Sequence, residues 1–350
     1  VKSLALLVPG PIDQLTGGYL YARRLVEGLR AAGVRVAVYE LDGRFPDADA
    51  AACAACDAVL GRLRDGSVAV IDGLALAGFA GSLARQAQRL RLLALVHHPL
   101  ADETGIGADA AARFAALERA LLPRCAGVIC PSAVTAASVA AYGVASERIA
   151  TVPPGTVKPA TPRRARHAGP CHLLSVGTVT PRKGHRVLIA ALARIKDRAW
   201  RLRLVGSLAR DAAEVAALRS AIAAHGLGER VSLEGEWPQD RLDEAYANAD
   251  LFVLASYHEG YGMAFAEALA HGLPIVATAG GAIAETVPEA ASLLVPPGDD
   301  AALAMALARA IDDAALRARL GAASASAGRA LPDWSEAVRR WLDAARRLAA

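Results

Sequence analysis

Short apolar runs alternate with longer stretches of helical period along almost the whole chain, the pattern of a parallel sheet with helices packed on both faces. In the first half these runs predict strands at Leu4 to Val8, Val34 to Tyr39, Val68 to Ile71, Leu92 to Val96, Val128 to Cys130 and Ile149 to Val152, with helices such as Tyr19 to Ala32 between them. After Val152, PPGTVKPATPRRARHAGP breaks both periodicities with prolines, glycines and four basic residues, and reads as a linker. A second series follows, with strands at Leu173 to Val176, Leu202 to Val205, Val231 to Leu233, Leu251 to Leu254, Ile275 to Ala277 and Leu293 to Val295. We therefore expect an α/β chain of two Rossmann-like, doubly wound parallel-sheet domains, 1–155 and 156–333. The carboxyl ends of both sheets, where such folds bind ligands, are expected to face a shared cleft. In the last segment, 334–350, EAVRRWLDAARRL places Trp341, Leu342, Ala345 and Leu348 on one stripe. That helix must dock on an apolar surface, which the pattern does not locate.

A length of 350 residues suffices for two cores of ordinary size. No run approaches the roughly 18 uninterrupted apolar residues of a membrane-spanning helix. The chain opens directly on a strand, SLALLV, rather than on a basic segment with an apolar run and a cleavage site, so a cytoplasmic protein is expected. A net charge of +4 carried by scattered basic residues argues against nucleic acid as a partner. Arg85, Arg89 and Arg91 form either a solvated helix face or a basic surface for peripheral contact with the inner face of a membrane. The only close cysteine pair among five, Cys53 and Cys56 in AACAAC, has no second pair and no neighbouring histidine. It reads as small buried thiols in a reducing compartment. Asp47 and Asp49 lie in a loop after Pro46 and read as incidental rather than as a metal pair.

The stretch Ala249 to Ala282, ADLFVLASYHEGYGMAFAEALAHGLPIVATAGGA, predicts a strand, a glycine-punctuated loop, a helix from about Met263 and another strand. Gly260 and Gly262 let backbone approach a ligand closely, and the helix start aims unpaired N–H groups and its positive dipole end at the same place. Glu259 and Glu267 stand eight residues apart, at different depths along one wall. They suit the hydroxyls of a sugar and of a ribose, or else are a solvated loop glutamate and a helix-face glutamate. In LLSVGTVTPRKGHRVLIAAL the cations Arg182 and Lys183 fall at a strand end just before Gly184, where they suit a diphosphate or form a solvated basic turn. Gly17 and Gly18, one step before the first helix in PGPIDQLTGGYLYARRLVEGL, cradle a phosphate or sugar or serve a tight connection. His97 and His98 end a strand in LVHHPL, with Glu103 close behind; a neutral structural histidine is the alternative.

Glu259 to Glu267 resembles the E-x7-E signature of the retaining glycosyltransferases of family four, also called glycosyl transferases group 1, which have the GT-B architecture. NADLFVLAS, EALAHGLPIVAT, GGAIAETV and LLVPPGD surround it in that family's order, and PSAVTAASVAAYGVASERIATVPPGT resembles the end of its first domain. The resemblance runs from about Gly17 to Asp299 and implies roles for particular residues. Glu259, with Tyr261, Gly262 and Met263, would contact the donor sugar, and Glu267 the ribose hydroxyls. Lys183 would neutralise the leaving diphosphate, with Arg182 as its partner cation, since Thr178 stands where that arginine usually lies. Gly17 and Gly18 would approach the donor and His97 would contact its sugar, leaving His98 and Glu103 toward the acceptor. Gly280, Gly281 and Glu285 resemble the following loop without a catalytic step. The domains then become an acceptor-side domain (1–155) and a donor-binding domain (156–333), with the terminal helix crossing back onto the first.

The expected reaction is transfer of a hexose from a UDP- or GDP-sugar to a hydroxyl of a lipid, a polysaccharide or a small metabolite, with retention. No cofactor and no metal are expected, because Arg182 and Lys183 carry the charge a metal would otherwise neutralise. Three other readings stay open. One is a nucleotide-sugar epimerase of the same architecture. A second is a nicotinamide oxidoreductase, disfavoured because PGPIDQLTGG lacks G-x-G-x-x-G. The third is a non-catalytic nucleotide-binding scaffold.

Overall fold

The computed structural model describes residues 1–159 and 169–350, so the middle of the linker read from the sequence, 160–168, lies outside the described residues. The chain divides into two compact units, Val1–Gly155 with Pro332–Ala350, and Thr156–Leu331.

The first unit holds a six-stranded sheet of β1 (Ser3–Pro9), β2 (Arg35–Leu41), β3 (Val68–Asp72), β4 (Arg91–Leu95), β5 (Gly127–Cys130) and β6 (Ile149–Thr151), in the order β2-β1-β3-β4-β5-β6. Every pairing is parallel, from Leu4 opposite Val36 and Val68 at one side to Val128 opposite Ile149 at the other. Parallel strands are covered on both faces, which is why Leu4 to Val8 is a continuous apolar run: each of its residues is at most 5% exposed. Leu7, Ile71 and Ala94 face one core cluster with Leu60, Phe79 and Leu121.

The second unit contains β7 (Cys171–Val176), β8 (Trp200–Val205), β9 (Val231–Leu233), β10 (Leu251–Leu254), β11 (Ile275–Thr278) and β12 (Ser292–Val295), again all parallel, in the order β12-β11-β10-β7-β8-β9. In β10, Leu251 and Val253 enter one core cluster with Leu188, Leu218 and Leu307, while Phe252 and Leu254 enter another with Tyr246, Phe265 and Leu269. The alternation follows the period of two along a strand, and each fully buried Leu or Phe contributes roughly 1.5–3 kcal/mol. All twelve predicted strands are present to within two residues at either end. The first predicted helix is Gly17–Ala31.

Strand order reverses between β1 and β3 in the first unit and between β7 and β10 in the second. At such switch points the loops leaving the carboxyl ends of neighbouring strands run in opposite directions and open a crevice.

The terminal helix, Trp334–Leu348, begins at Asp333, whose side chain accepts from Glu336 N at 2.8 Å. It buries Ala337, Val338, Trp341, Leu342, Ala345 and Leu348 against helix Gly17–Ala31 and β5. Small residues on the receiving side permit the approach. A Cβ on Gly28 would lie 2.4 Å from Val338 Cγ2, one on Gly127 2.7 Å from Leu348 Cδ2, and one on Gly155 2.4 Å from the Cα of Trp334. Only the last meets backbone that no rotamer change can move aside. Gly155→Ala should therefore lower stability by about 1–3 kcal/mol, measured as a lower midpoint in denaturant. An unchanged midpoint would mean that this contact does not anchor the helix.

Candidate active site

In the second unit the loops after β7 and β10 meet at the switch point. After Val176 the chain runs through Gly177 and Thr178 to a single 3₁₀ turn, Pro181–Lys183, and then to helix His185–Ala193. Arg182 and Lys183 thus sit six and seven residues beyond the strand, in the turn that opens the helix rather than at the strand end the sequence suggested. Gly184, at φ +62°, joins turn to helix, and a Cβ there would stand 2.0 Å from the carbonyl oxygen of Ala255. That close approach, with Tyr257 N donating to Arg182 O at 2.8 Å, lays one loop on the other.

The contact brings two cations onto one carboxylate. Lys183 Nζ donates to Glu259 Oε1 at 2.6 Å, and Arg182 Nη1 lies 3.3 Å from Glu259 Oε2 and donates to His258 O at 2.9 Å. Ser256 Oγ adds a bond to Glu259 Oε1 at 2.6 Å. Glu259 is 6% exposed. Burial alone would raise its pKa, but Lys183 and Arg182, with the hydrogen bonds from Lys183 and Ser256, outweigh that and hold the carboxyl at about 2. The adjoining His185 is fully buried, and burial together with the charge of Lys183 lowers its pKa to about 3, so its ring is neutral.

Gly260, Tyr261 and Gly262 lead into helix Met263–Ala270, whose N-terminus carries no side-chain cap; Gly262 turns into it at φ +90°. Tyr261 is held by its carbonyl, which accepts from Thr286 Oγ1, and burial followed by the charge of Glu285 moves its phenol up to about 12. Glu267 lies in the second turn and accepts from Tyr246 Oη at 2.8 Å. Gly280 and Gly281 back the loop: a Cβ on Gly280 would lie 2.2 Å from Tyr257 O, and one on Gly281 2.4 Å from Glu259 O. Glu285 is exposed.

In the first unit, Gly17 and Gly18 are the first two residues of helix Gly17–Ala31, not a step before it, because Thr16 already takes the N-cap place. Gly18 packs on the ring of His97, since a Cβ there would lie 3.2 Å from His97 Cδ2. Nε2 of His97 is 3.4 Å from Oδ2 of the buried Asp72, and its ring meets Tyr21 edge-on at 5.5 Å. Nε2 of His98 is 3.3 Å from Glu103 Oε2. The turn carrying them is held by Glu118, which is 1% exposed and accepts from Leu100 N with both oxygens, at 3.0 and 3.1 Å. Burial raises the Glu118 carboxyl to about 7 against the opposing hydrogen bonds from Leu100 and Ala101.

Asp72, Glu118, Tyr246 and Ser256 were not singled out in the sequence. Asp72 carried a usable signal, an acidic residue closing the buried run VAVID; the others looked like ordinary helix or loop residues. Of the incidental groups, Asp49 caps helix Ala50–Arg62 through Ala52 N at 2.9 Å, and Asp47 pairs with Arg113 at 2.6 Å. Cys53 is exposed, so the reading of small buried thiols fails there while holding for Cys56. Arg85, Arg89 and Arg91 do not share a helix face. The helix is only Leu83–Gln86, Arg91 begins β4, and Arg89 is tied to Leu63 O at 2.7 Å and Asp65 at 2.9 Å. Among the described residues no helix is long and apolar enough to cross a membrane.

Residues 162–326 match the family of glycosyl transferases group 1, and residues 16–155 match the glycosyl transferase 4-like domain. The segment 162–326 belongs to the group 1 glycosyltransferase family. A D-inositol 3-phosphate glycosyltransferase from Corynebacterium efficiens is 32% identical over 151 residues, which cover 42% of this chain and 36% of that relative. The match thus spans little more than a third of the relative's length. Among solved structures, a sucrose-phosphate synthase from Thermosynechococcus elongatus superposes with a TM-score of 0.84 at 24% identity, covering 99% of each chain. The Anabaena protein HepE in complex with UDP and glucose does so with a TM-score of 0.76 at 18% identity, covering 98% of each. At these identities the likeness establishes the fold, which is GT-B.

Two carboxyls in this chain give stability opposite pH dependences. Glu259 titrates near 2 instead of about 4.5, so its contribution is complete above pH 4.5 and lost as pH falls toward 2. Glu259→Gln should destabilise the protein by about 3 kcal/mol at neutral pH, with the gap to wild type narrowing below pH 4.5 in acid-unfolding curves. Glu118 titrates near 7, so stability declines as pH rises from 4.5 to 7. Glu118→Gln should remove that decline, and an identical slope in the variant would refute the assignment.

Proposed function

We propose that the chain transfers a hexose from a UDP- or GDP-sugar to a hydroxyl acceptor, with retention at the anomeric carbon and without a metal ion. The observation that carries this reading is the convergence of Lys183 and Arg182 on Glu259, beside the uncapped start of helix Met263–Ala270. The three side chains carry one surplus positive charge. The helix terminus adds the equivalent of about half a charge, so an entering diphosphate meets a positive corner already in place. Glu259 keeps the cations preorganised while remaining an acceptor for sugar hydroxyls.

In the reaction the acceptor oxygen bonds to the anomeric carbon as the bond from that carbon to the diphosphate oxygen breaks. The acceptor proton passes to the departing diphosphate on the same face of the sugar. Negative charge builds on the diphosphate, and Lys183 and Arg182 stabilise it without reorganising, the role otherwise taken by a divalent cation. In the first unit, His97, braced by Asp72, Tyr21 and Gly18, would contact the donor sugar, with His98 and Glu103 toward the acceptor. The HepE complex with UDP and glucose, on the same fold, supports a nucleotide-sugar donor, and the inositol phosphate relative supports a hydroxyl acceptor.

The test is turnover of UDP-glucose and GDP-mannose with a panel of hydroxyl acceptors, in EDTA and in magnesium, with the product anomer assigned by NMR. Wild type should use one donor equally well in both buffers and give the donor's anomer. Lys183→Ala should lose about 10²-fold or more in kcat/KM. A rate that collapses in EDTA, or an inverted product, would overturn the corresponding part of the proposal.

A further inference from the structure

Tyr246 projects from helix Gln239–Asn248 into the core of the second unit with none of its surface exposed. Its ring stacks on His271 with centroids 4.9 Å apart at 20°, and on Phe252 at 5.9 Å and 27°. His271 Nδ1 in turn lies 2.9 Å from the Glu267 carbonyl oxygen. The phenol hydroxyl, fixed by this packing, donates to Glu267 Oε2 at 2.8 Å and lies 3.3 Å from Ala264 O.

We propose that Tyr246 is a positioning residue for the donor's ribose, holding the Glu267 carboxylate in the orientation that accepts hydrogen bonds from the two vicinal hydroxyls. This rests on the reading of Glu267 as the ribose-binding carboxylate. A glutamate side chain has three torsions, and Glu267 is only half-buried, so by itself its carboxylate would sample several orientations. Two neighbouring hydroxyls demand one. A carboxylate offers about four acceptor sites and the phenol occupies a single one, so the restraint is compatible with a bound diol. The donor in this bond is also permanent: burial, followed by the charge and hydrogen bond of Glu267, moves the Tyr246 phenol well above its ordinary pKa, and it keeps its proton at every working pH.

The experiment is calorimetric titration of wild type, Tyr246→Phe, Glu267→Gln and the double variant with whichever of UDP or GDP binds, with its 2′,3′-dideoxy form, and with inorganic pyrophosphate. Tyr246→Phe should weaken the nucleoside diphosphate about tenfold, the worth of one charge-assisted hydrogen bond. It should leave the dideoxy form and pyrophosphate unchanged, and the double variant should bind no worse than Glu267→Gln. Equal loss for all three ligands, or no loss for Tyr246→Phe where Glu267→Gln is weakened, would overturn the proposal. If Glu267→Gln itself binds like wild type while Lys183→Ala does not, the ribose reading fails and the proposal with it. Should Tyr246→Phe not fold, difluorotyrosine at 246 keeps ring and hydroxyl and changes only the strength of the bond. A shift in the ratio of nucleotide to dideoxynucleotide affinity then supports the proposal, and an unchanged ratio refutes it.

Discussion

A carboxylate removed from water at Glu259 would be expensive if it stood alone, and the second unit is organised around making it tolerable. Lys183 and Arg182 are the remedy, but neither belongs to the loop that carries Glu259. They arrive because Gly184 lets the loop after β7 settle against the Ala255 carbonyl, and because Gly280 and Gly281 let the loop after β11 close from behind. Charge and backbone geometry therefore depend on each other. Without the close approach the cations would miss the carboxylate, and without the cations the carboxylate could not remain ionised in that place. The outcome is a cationic corner whose groups are oriented before any ligand arrives, the condition under which charge stabilisation is strongest.

The first unit follows the same logic in another sheet order. Its switch point lies between β1 and β3, and the side chains at the strand ends there are Asp72, from β3, and His97, just past β4. Asp72 does two jobs, since its other oxygen accepts from Leu74 N at 2.9 Å and starts the turn that follows. Glu118 spends its carboxyl on the backbone of the turn behind His97 and His98. In both units a buried acid closes a loop and orients a second polar group, which suits sites that must hold polar ligands without yielding to them.

The chain also returns to its beginning. Pro332–Ala350 joins the first unit, and its helix is seated where Gly28, Gly127 and Gly155 leave room for side chains and backbone. The apolar stripe of the helix was plain from its spacing. The surface that receives it consists of missing side chains scattered over three separate segments, and no local pattern marks such a surface.

Hydrophobic periodicity by itself determined the twelve strands, their parallel character and the repetition of one architecture, because a strand buried on both faces must be apolar throughout and a covering helix must be apolar on one side. The spacing of Glu259 and Glu267 around a glycine turn likewise identified the chemical stretch, since the residues that shape such a turn are contiguous. What the sequence could not supply was pairing across distance. Tyr246 and Glu267 are 21 residues apart, and Lys183 and Glu259 are 76 apart. Asp72 reaches His97 only because β3 and β4 are neighbours in the sheet. Whether an acid is buried and partnered or solvated depends on which strands adjoin and how closely their loops pack. Strand order and close packing are properties of the assembled sheet, so only the tertiary structure decided that Glu259 is a buried, paired carboxylate rather than a solvated loop glutamate.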